Sequence, residues 1–208
     1  MLDEWNIQLF SALNAAANPD PLTVALAKAV AAQSIFLALA ITVALWIWGP
    51  PRRRGALLAV ATVLPFALVL NGIVGWLHFR PRPFMLGLGH TLVPHAAEAG
   101  FPSDHMSFLW TLGLSLLATA ASRPAGWCIV VIGVPTAWAR IYLGVHTPLD
   151  MLGSLGVAAL AALLARAVLP QIERHLLVPA ETLYIGALRA LRLPDMMFPK
   201  ARSGDGQP

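Results

Sequence analysis

Five stretches of this chain are too apolar and too long to be the surface elements of a water-soluble fold. A helix needs about 20 mostly apolar residues to cross the hydrocarbon core of a bilayer. Ala29 to Trp48 supplies twenty uncharged residues, and the helix can start as early as Leu22. Further runs cover about Gly55 to Phe79, Ser103 to Ala121, Pro124 to Ala139 and Pro148 to Leu169. Only helices and closed barrels satisfy their backbone groups in lipid. The expected fold is therefore an all-α polytopic membrane bundle of about five transmembrane helices. Composition agrees: 58% of residues are hydrophobic and 12% charged, against about 25% charged in soluble domains, and mean hydropathy is +0.70.

The flanks differ from the runs. Leu2, Trp5, Leu9 and Leu13 recur at helical spacing, with Asp3, Glu4, Gln8 and Asn14 on other faces. This pattern predicts an amphipathic helix on the membrane surface. Asp3 and Glu4 stand where a cleavable signal peptide would be basic. Leu183 to Leu193 predicts a second interfacial helix, with Arg189 and Arg192 reaching headgroups. Residues 1–199 are expected to form one membrane-embedded domain, and 200–208 a disordered tail. Cys128 is the single cysteine, so no intrachain disulfide can form.

Charge placement orients the chain. With the amino terminus outside, ten of the fourteen lysines and arginines fall inside: Arg52, Arg53, Arg54, Arg123, Arg166, Arg174, Arg189, Arg192, Lys200 and Arg202. That is the bias the insertion rule favours. A net charge of +4 thus follows from topology, and nucleic acid is not an expected partner. Lys28 lies near the outer start of the first span and can snorkel outward; Arg80, Arg82 and Arg140 remain at the outer face, where topology does not explain them.

Those arginines belong to three segments that a five-span bundle brings to one face. Arg80-Pro81-Arg82-Pro83-Phe84 ends the second run, Phe101-Pro102-Ser103-Asp104-His105 opens the third, and Arg140, His146 and Asp150 bridge the fourth and fifth. Arginine forks match phosphate oxygens. Ser103 stands at an expected helix N-cap, where free backbone N–H groups favour anions. One histidine could attack phosphorus while a second protonates the leaving oxygen. An aspartate on one ring nitrogen would fix the tautomer and free the other. Taken singly, the residues have plainer uses. Ser103 and Asp104 could simply cap a helix, and Thr147-Pro148-Leu149-Asp150 reads as a capping box. Arg80 and Arg82 could bind headgroups without specificity. His78, His90 and His95 lie near the same face, but no HxxxH, HExxH or cysteine pair suggests a metal site. The tryptophans at 46, 48, 76, 110, 127 and 138 suit interfacial belts and packing.

Read in order, the motifs Arg-Pro-Arg-Pro, Pro-Ser-Asp-His and Arg-x5-His-x3-Asp resemble those of the type 2 phosphatidic acid phosphatase superfamily. That family shares its phosphate site with vanadium haloperoxidases. The resemblance covers about Asn71 to Asp150. Pro-Arg-Pro-Phe, the Pro94-His95 pair and Phe-Pro-Ser-Asp-His are most similar to the bacterial undecaprenyl-diphosphate phosphatase branch. It implies a membrane phosphatase acting on a lipid phosphate or diphosphate at the outer face of the inner membrane, without metal or cofactor. His146 would be the nucleophile, Asp150 its orienting partner and His105 the general acid. Arg82, Arg140 and Ser103 would hold phosphoryl oxygens, with Asp104 and Arg80 in the same phosphate-binding set.

The family pattern places a lysine seven residues before Arg82, and here that position is Gly75. Asp104 replaces the glycine of Pro-Ser-Gly-His, and Ala139 the serine before Arg140. Other substrates of the same chemistry are phosphatidylglycerophosphate, phosphatidic acid and lipid A phosphate. A lipid or anion transporter that binds phosphate without cleaving it is the alternative from another class, and Gly75 is its best support.

Overall fold

A computed structural model describes residues 2–120 and 122–192. Among the described residues seven α-helices follow one another: α1 (Leu2–Leu13), α2 (Pro21–Trp48), α3 (Pro51–Leu77), α4 (Asp104–Ala118), α5 (Arg123–Tyr142), α6 (Pro148–His175) and α7 (Leu177–Ala190). By length and composition α2, Arg53–Leu77 of α3, α5 and α6 are each able to cross a membrane. The chain is a multi-pass membrane protein.

Local chemistry sets the helix ends. The Asp20 carboxylate accepts from the Thr23 backbone N–H at 2.8 Å, and Pro21 pre-sets the first turn of α2. Gly49 and Pro50 then break the chain before α3. Beyond Tyr142, Gly144 turns at φ +78°. A Cβ there would come within 2.2 Å of the His90 carbonyl oxygen, so only glycine fits.

The third apolar run becomes α4, which at fifteen residues is shorter than expected. It rises about 22 Å and is the central element, packed by α3, α5 and α6. Met106, Leu109, Leu112 and Leu116 are buried in it. Lipid tails are as apolar as leucine, so contact between helices relies on small residues and close approach. Gly113 and Gly126 provide this between α4 and α5: a Cβ on either would lie 3.0–3.1 Å from the other's carbonyl oxygen. Ala67 of α3 and Ala161 and Ala165 of α6 share one buried apolar cluster. The outer surface carries large apolar groups such as Phe36, Trp48, Trp76, Trp127 and Leu163.

Several helix boundaries differ from the sequence expectation. The fifth run was expected to stop at Leu169, but α6 continues through Pro170 to His175. The fourth was expected to stop at Ala139, and α5 continues to Tyr142. Proline removes one helical donor and need not end a helix that its neighbours support. The carboxy-terminal helix starts at Leu177 rather than Leu183 and packs on α6 and α3. Arg54 is only 1% exposed, so it is not a free loop charge. Its Nε donates to the Trp46 carbonyl at 2.9 Å and its Nη1 to Glu181 of α7 at 3.2 Å. Its guanidinium carbon lies within 6 Å of the Trp46 and Tyr184 ring centres. The expected tail at 200–208 lies outside the described residues.

Up-and-down topology gathers the end of α3, both ends of the 78–103 loop, the α5–α6 turn and the start of α6 at one end of the bundle. Helix α1 docks there as well. Asn6 accepts from the Leu149 N–H, and Asn14 donates to the carbonyls of His90 and Tyr142.

Candidate active site

His146 follows α5 in a turn closed by Gly144 and sits two residues before α6. The helix does not reach back to it, so the turn brings it to Asp150. Nδ1 lies 3.0 Å from the Gly100 carbonyl oxygen and 3.2 Å from Asp150 Oδ2. A carbonyl can only accept, so the proton sits on Nδ1 and Nε2 carries the lone pair. Three donors converge on that lone pair: Arg82 Nη1 at 3.0 Å, Arg140 Nη2 at 3.2 Å and Ser103 Oγ at 3.3 Å. Burial, and then the charges of Arg140 and Arg82, hold the His146 pKa well below 6.5. The ring is neutral at physiological pH.

Each partner is fixed by its own element. Ser103 occupies the N-cap position of α4 but makes no side-chain capping bond. Its hydroxyl serves His146 instead. Asp150 does cap: its Oδ2 accepts from the Thr147 N–H at 2.7 Å as well as facing His146. Capping and orientation are thus the same contact. Arg82 is 3% exposed; its Nη1 also donates to the Val145 carbonyl at 3.1 Å, and its Nη2 pairs with Glu98 at 3.0 Å. Its loop is held to the start of α4 by a bridge between Pro81 and Ala99 and by the Gly100 N–H donating to the Arg80 carbonyl. Arg140 Nη2 also meets His95 Nε2 at 3.0 Å.

Two guanidinium groups therefore face the same ring nitrogen, and of the two only Arg82 pairs with the exposed Glu98 carboxylate. Arg82 Nε, Arg140 Nε and His95 Nδ1 are all buried and make no hydrogen bond of good geometry. Buried charge and unpaired donors at one point make a site for an anion. Burial followed by the charges of Arg82 and Arg140 lowers the His95 pKa as well.

Other expected residues stand further out. Arg80 is turned to α1, where it pairs with Asp3. Asp104 is exposed and receives a 2.6 Å bond from Asn71. His105 is half-buried in the first turn of α4, two residues after Ser103. His78 and His90 make no side-chain contact with the site, although the His90 backbone holds Asn14. Gly75 lines an open groove of about 280 Å³ with Asn71, Trp76, Phe79 and Asp104. A Cβ there would lie 3.3 Å from the Phe101 carbonyl oxygen. Among the described residues, no three histidine, cysteine, aspartate or glutamate side chains form a metal-ligand set.

Glu98, the Gly100 carbonyl and Asn71 were not singled out from the sequence. Asn71 had a usable signal, being a lone amide inside an apolar run. Its Nδ2 donates to the Pro102 carbonyl and to Asp104, while its Oδ1 accepts from Ser107.

Comparison with known proteins gives a consistent result. The sequence model of the PAP2 superfamily matches residues 54–174. The chain is 36% identical to Escherichia coli YbjG, provisionally named an undecaprenyl-diphosphatase, over 80% of this chain and 83% of that protein. It is 33% identical to the Bacillus subtilis undecaprenyl-diphosphatase BcrC, over 76% and 81%. Its fold resembles the crystal structure of Aquifex aeolicus LpxE, with a TM-score of 0.64 and 20% identity, covering 77% of this chain and 94% of that one.

Proposed function

The chain belongs to the PAP2 superfamily and is a membrane phosphatase of that kind, and from that premise we propose that it converts undecaprenyl diphosphate to undecaprenyl phosphate. Two relatives carrying that name at 33–36% identity over most of the chain support this substrate. The observation that carries the chemistry is the convergence of Arg82, Arg140 and Ser103 on the free Nε2 of a histidine whose Nδ1 is held.

In this mechanism the terminal phosphorus takes the position those donors mark. His146 Nε2 attacks it, forming a phosphorus–nitrogen bond as the bond to the bridging oxygen breaks. His105 gives its proton to the departing lipid phosphate. Asp150 keeps the Nδ1–H aligned and stabilises the ring while it carries the phosphoryl group. His105 then takes a proton from water, which attacks the phosphohistidine and releases inorganic phosphate. Arg82, Arg140 and the Ser103 hydroxyl stabilise the equatorial oxygens throughout, which is the main protein contribution in phosphoryl transfer. Asp104, tied to Asn71, and Arg80, paired with Asp3, act from the rim on the substrate headgroup. No step calls for a metal ion. An Asp-held histidine serves cleavage, and transport has no need of it.

The site faces the outside of the inner membrane in this proposal. Its support is the placement of ten of fourteen basic residues in segments at the opposite end or in the carboxy-terminal region. The lipid tail enters from the side, between helices.

Side-by-side turnover of undecaprenyl diphosphate, phosphatidylglycerophosphate, phosphatidic acid and lipid A phosphate tests the substrate. The highest kcat/KM is expected for the diphosphate. A tenfold preference for any of the monoesters would replace the substrate and leave the chemistry standing.

A further inference from the structure

The three donors around His146 account for the terminal phosphate and leave one ring at the same site without a task. His95 Nε2 lies 3.0 Å from Arg140 Nη2, the nitrogen that stands 3.2 Å from His146 Nε2. The two imidazoles meet edge to face, with centroids 6.2 Å apart. A guanidinium only donates, so His95 Nε2 accepts and its proton sits on Nδ1. That Nδ1 is buried and makes no hydrogen bond of good geometry, and the Ala96 backbone acts on the ring more weakly than burial and the two guanidinium groups do. The nearest acidic oxygen, on Glu98, is 3.9 Å away, beyond hydrogen-bond reach. The side chain keeps 20% of its surface exposed, so a ligand can touch it.

Arg140 thus spans two neutral histidines. A phosphoryl group arriving at His146 Nε2 takes the Arg140 donor for its own oxygens, and His95 is left facing whatever follows along the substrate. In a diphosphate ester the next group is the bridging oxygen and the lipid-linked phosphate. In a monoester it is a carbon chain, which offers the ring nothing to bind.

We propose that His95 is a substrate-contacting residue that holds the lipid-linked phosphate of a diphosphate, and so sets the preference for diphosphates over monophosphates. This rests on the substrate proposed above. The added negative charge opposes the burial and the two guanidinium charges that hold the ring neutral, so His95 can take a proton from solvent and donate from both nitrogens. No covalent bond changes at His95.

The test compares wild type, His95→Ala and His95→Gln in detergent. It measures kcat/KM for undecaprenyl diphosphate and the inhibition constant of inorganic phosphate, which has no second phosphoryl group. His95→Ala is expected to lower kcat/KM by about ten- to a hundredfold, the effect of losing one charge-assisted hydrogen bond. Its inhibition by inorganic phosphate should change less than about twofold. His95→Gln, which keeps a donor and an acceptor, should recover most of the loss. A matched loss on both measures would make His95 a support for Arg140 and overturn the proposal, as would no loss on either. If wild type releases phosphate from lipid monoesters but not from the diphosphate, the substrate assignment fails first and this inference falls with it.

Discussion

His146 has five polar neighbours on one ring, two at Nδ1 and three at Nε2. The arrangement makes Asp150 a positioning residue whose charge matters more than its shape. Asp150→Asn can still accept from Thr147, so the helix start should survive while the ring loses its anionic partner. Its kcat is expected to fall about a thousandfold, with KM much less affected; an unchanged kcat would leave Asp150 as a cap alone. Burial also has a pH consequence. The folded-state pKa of His146 lies well below the ordinary 6.5, and that of His95 is lowered too. Below about 6.5 the unfolded chain therefore binds more protons than the folded one. The stability contribution of these rings is present above that pH and is lost as pH falls through the window beneath it. Thermal melts from pH 7.5 to 5.5 should show wild type losing stability more steeply than His146→Gln, and equal slopes would contradict the buried neutral ring. The positions proposed as catalytic stand out in the sequence because their residue types, order and spacing are specific. Gly100 was not, because a carbonyl has no side-chain signature, and Glu98 was not, because its partner lies sixteen residues earlier on the other arm of a loop.

Helix existence was legible from the apolar runs, and helix ends were less so. The fifth apolar run ends at about Leu169, yet α6 continues through Pro170 to His175, because support from neighbouring helices is invisible in a local pattern. The small-residue contacts between α4 and α5 were equally hidden, since Gly113 and Gly126 gain meaning only when paired. Arg54 was counted as an inner loop charge and is instead the pin that fastens α7 to the end of α2. Removing it leaves Glu181 without this partner and opens the gap between Trp46 and Tyr184. Arg54→Ala is expected to cost about 3 kcal/mol, read as a lower melting temperature and earlier protease cleavage in α7. Because Arg54 is at the far end of the bundle, kcat of the protein that remains folded should be unchanged. A normal melting temperature would show that α7 is held by apolar contact alone.

At the scale of the whole molecule, the fold serves to bring three distant segments together. Arg82 arrives on the loop leaving α3, Ser103 and His105 at the start of α4, and Arg140, His146 and Asp150 across the α5–α6 turn. Helix α1 closes the same end through Asn6 and Asn14, a role its amphipathic pattern did not reveal. The replacement of the family lysine by Gly75 is compatible with the proposed mechanism, since two buried guanidinium groups and Ser103 already face His146 Nε2. The most direct measurement is phosphate release from undecaprenyl diphosphate by purified wild type and His146→Ala, with chelator in excess. Steady release by wild type, and a fall of at least about a thousandfold in the variant, is the predicted result. Release that His146→Ala retains, or that stops in wild type when divalent ions are removed, would contradict the metal-free phosphohistidine mechanism.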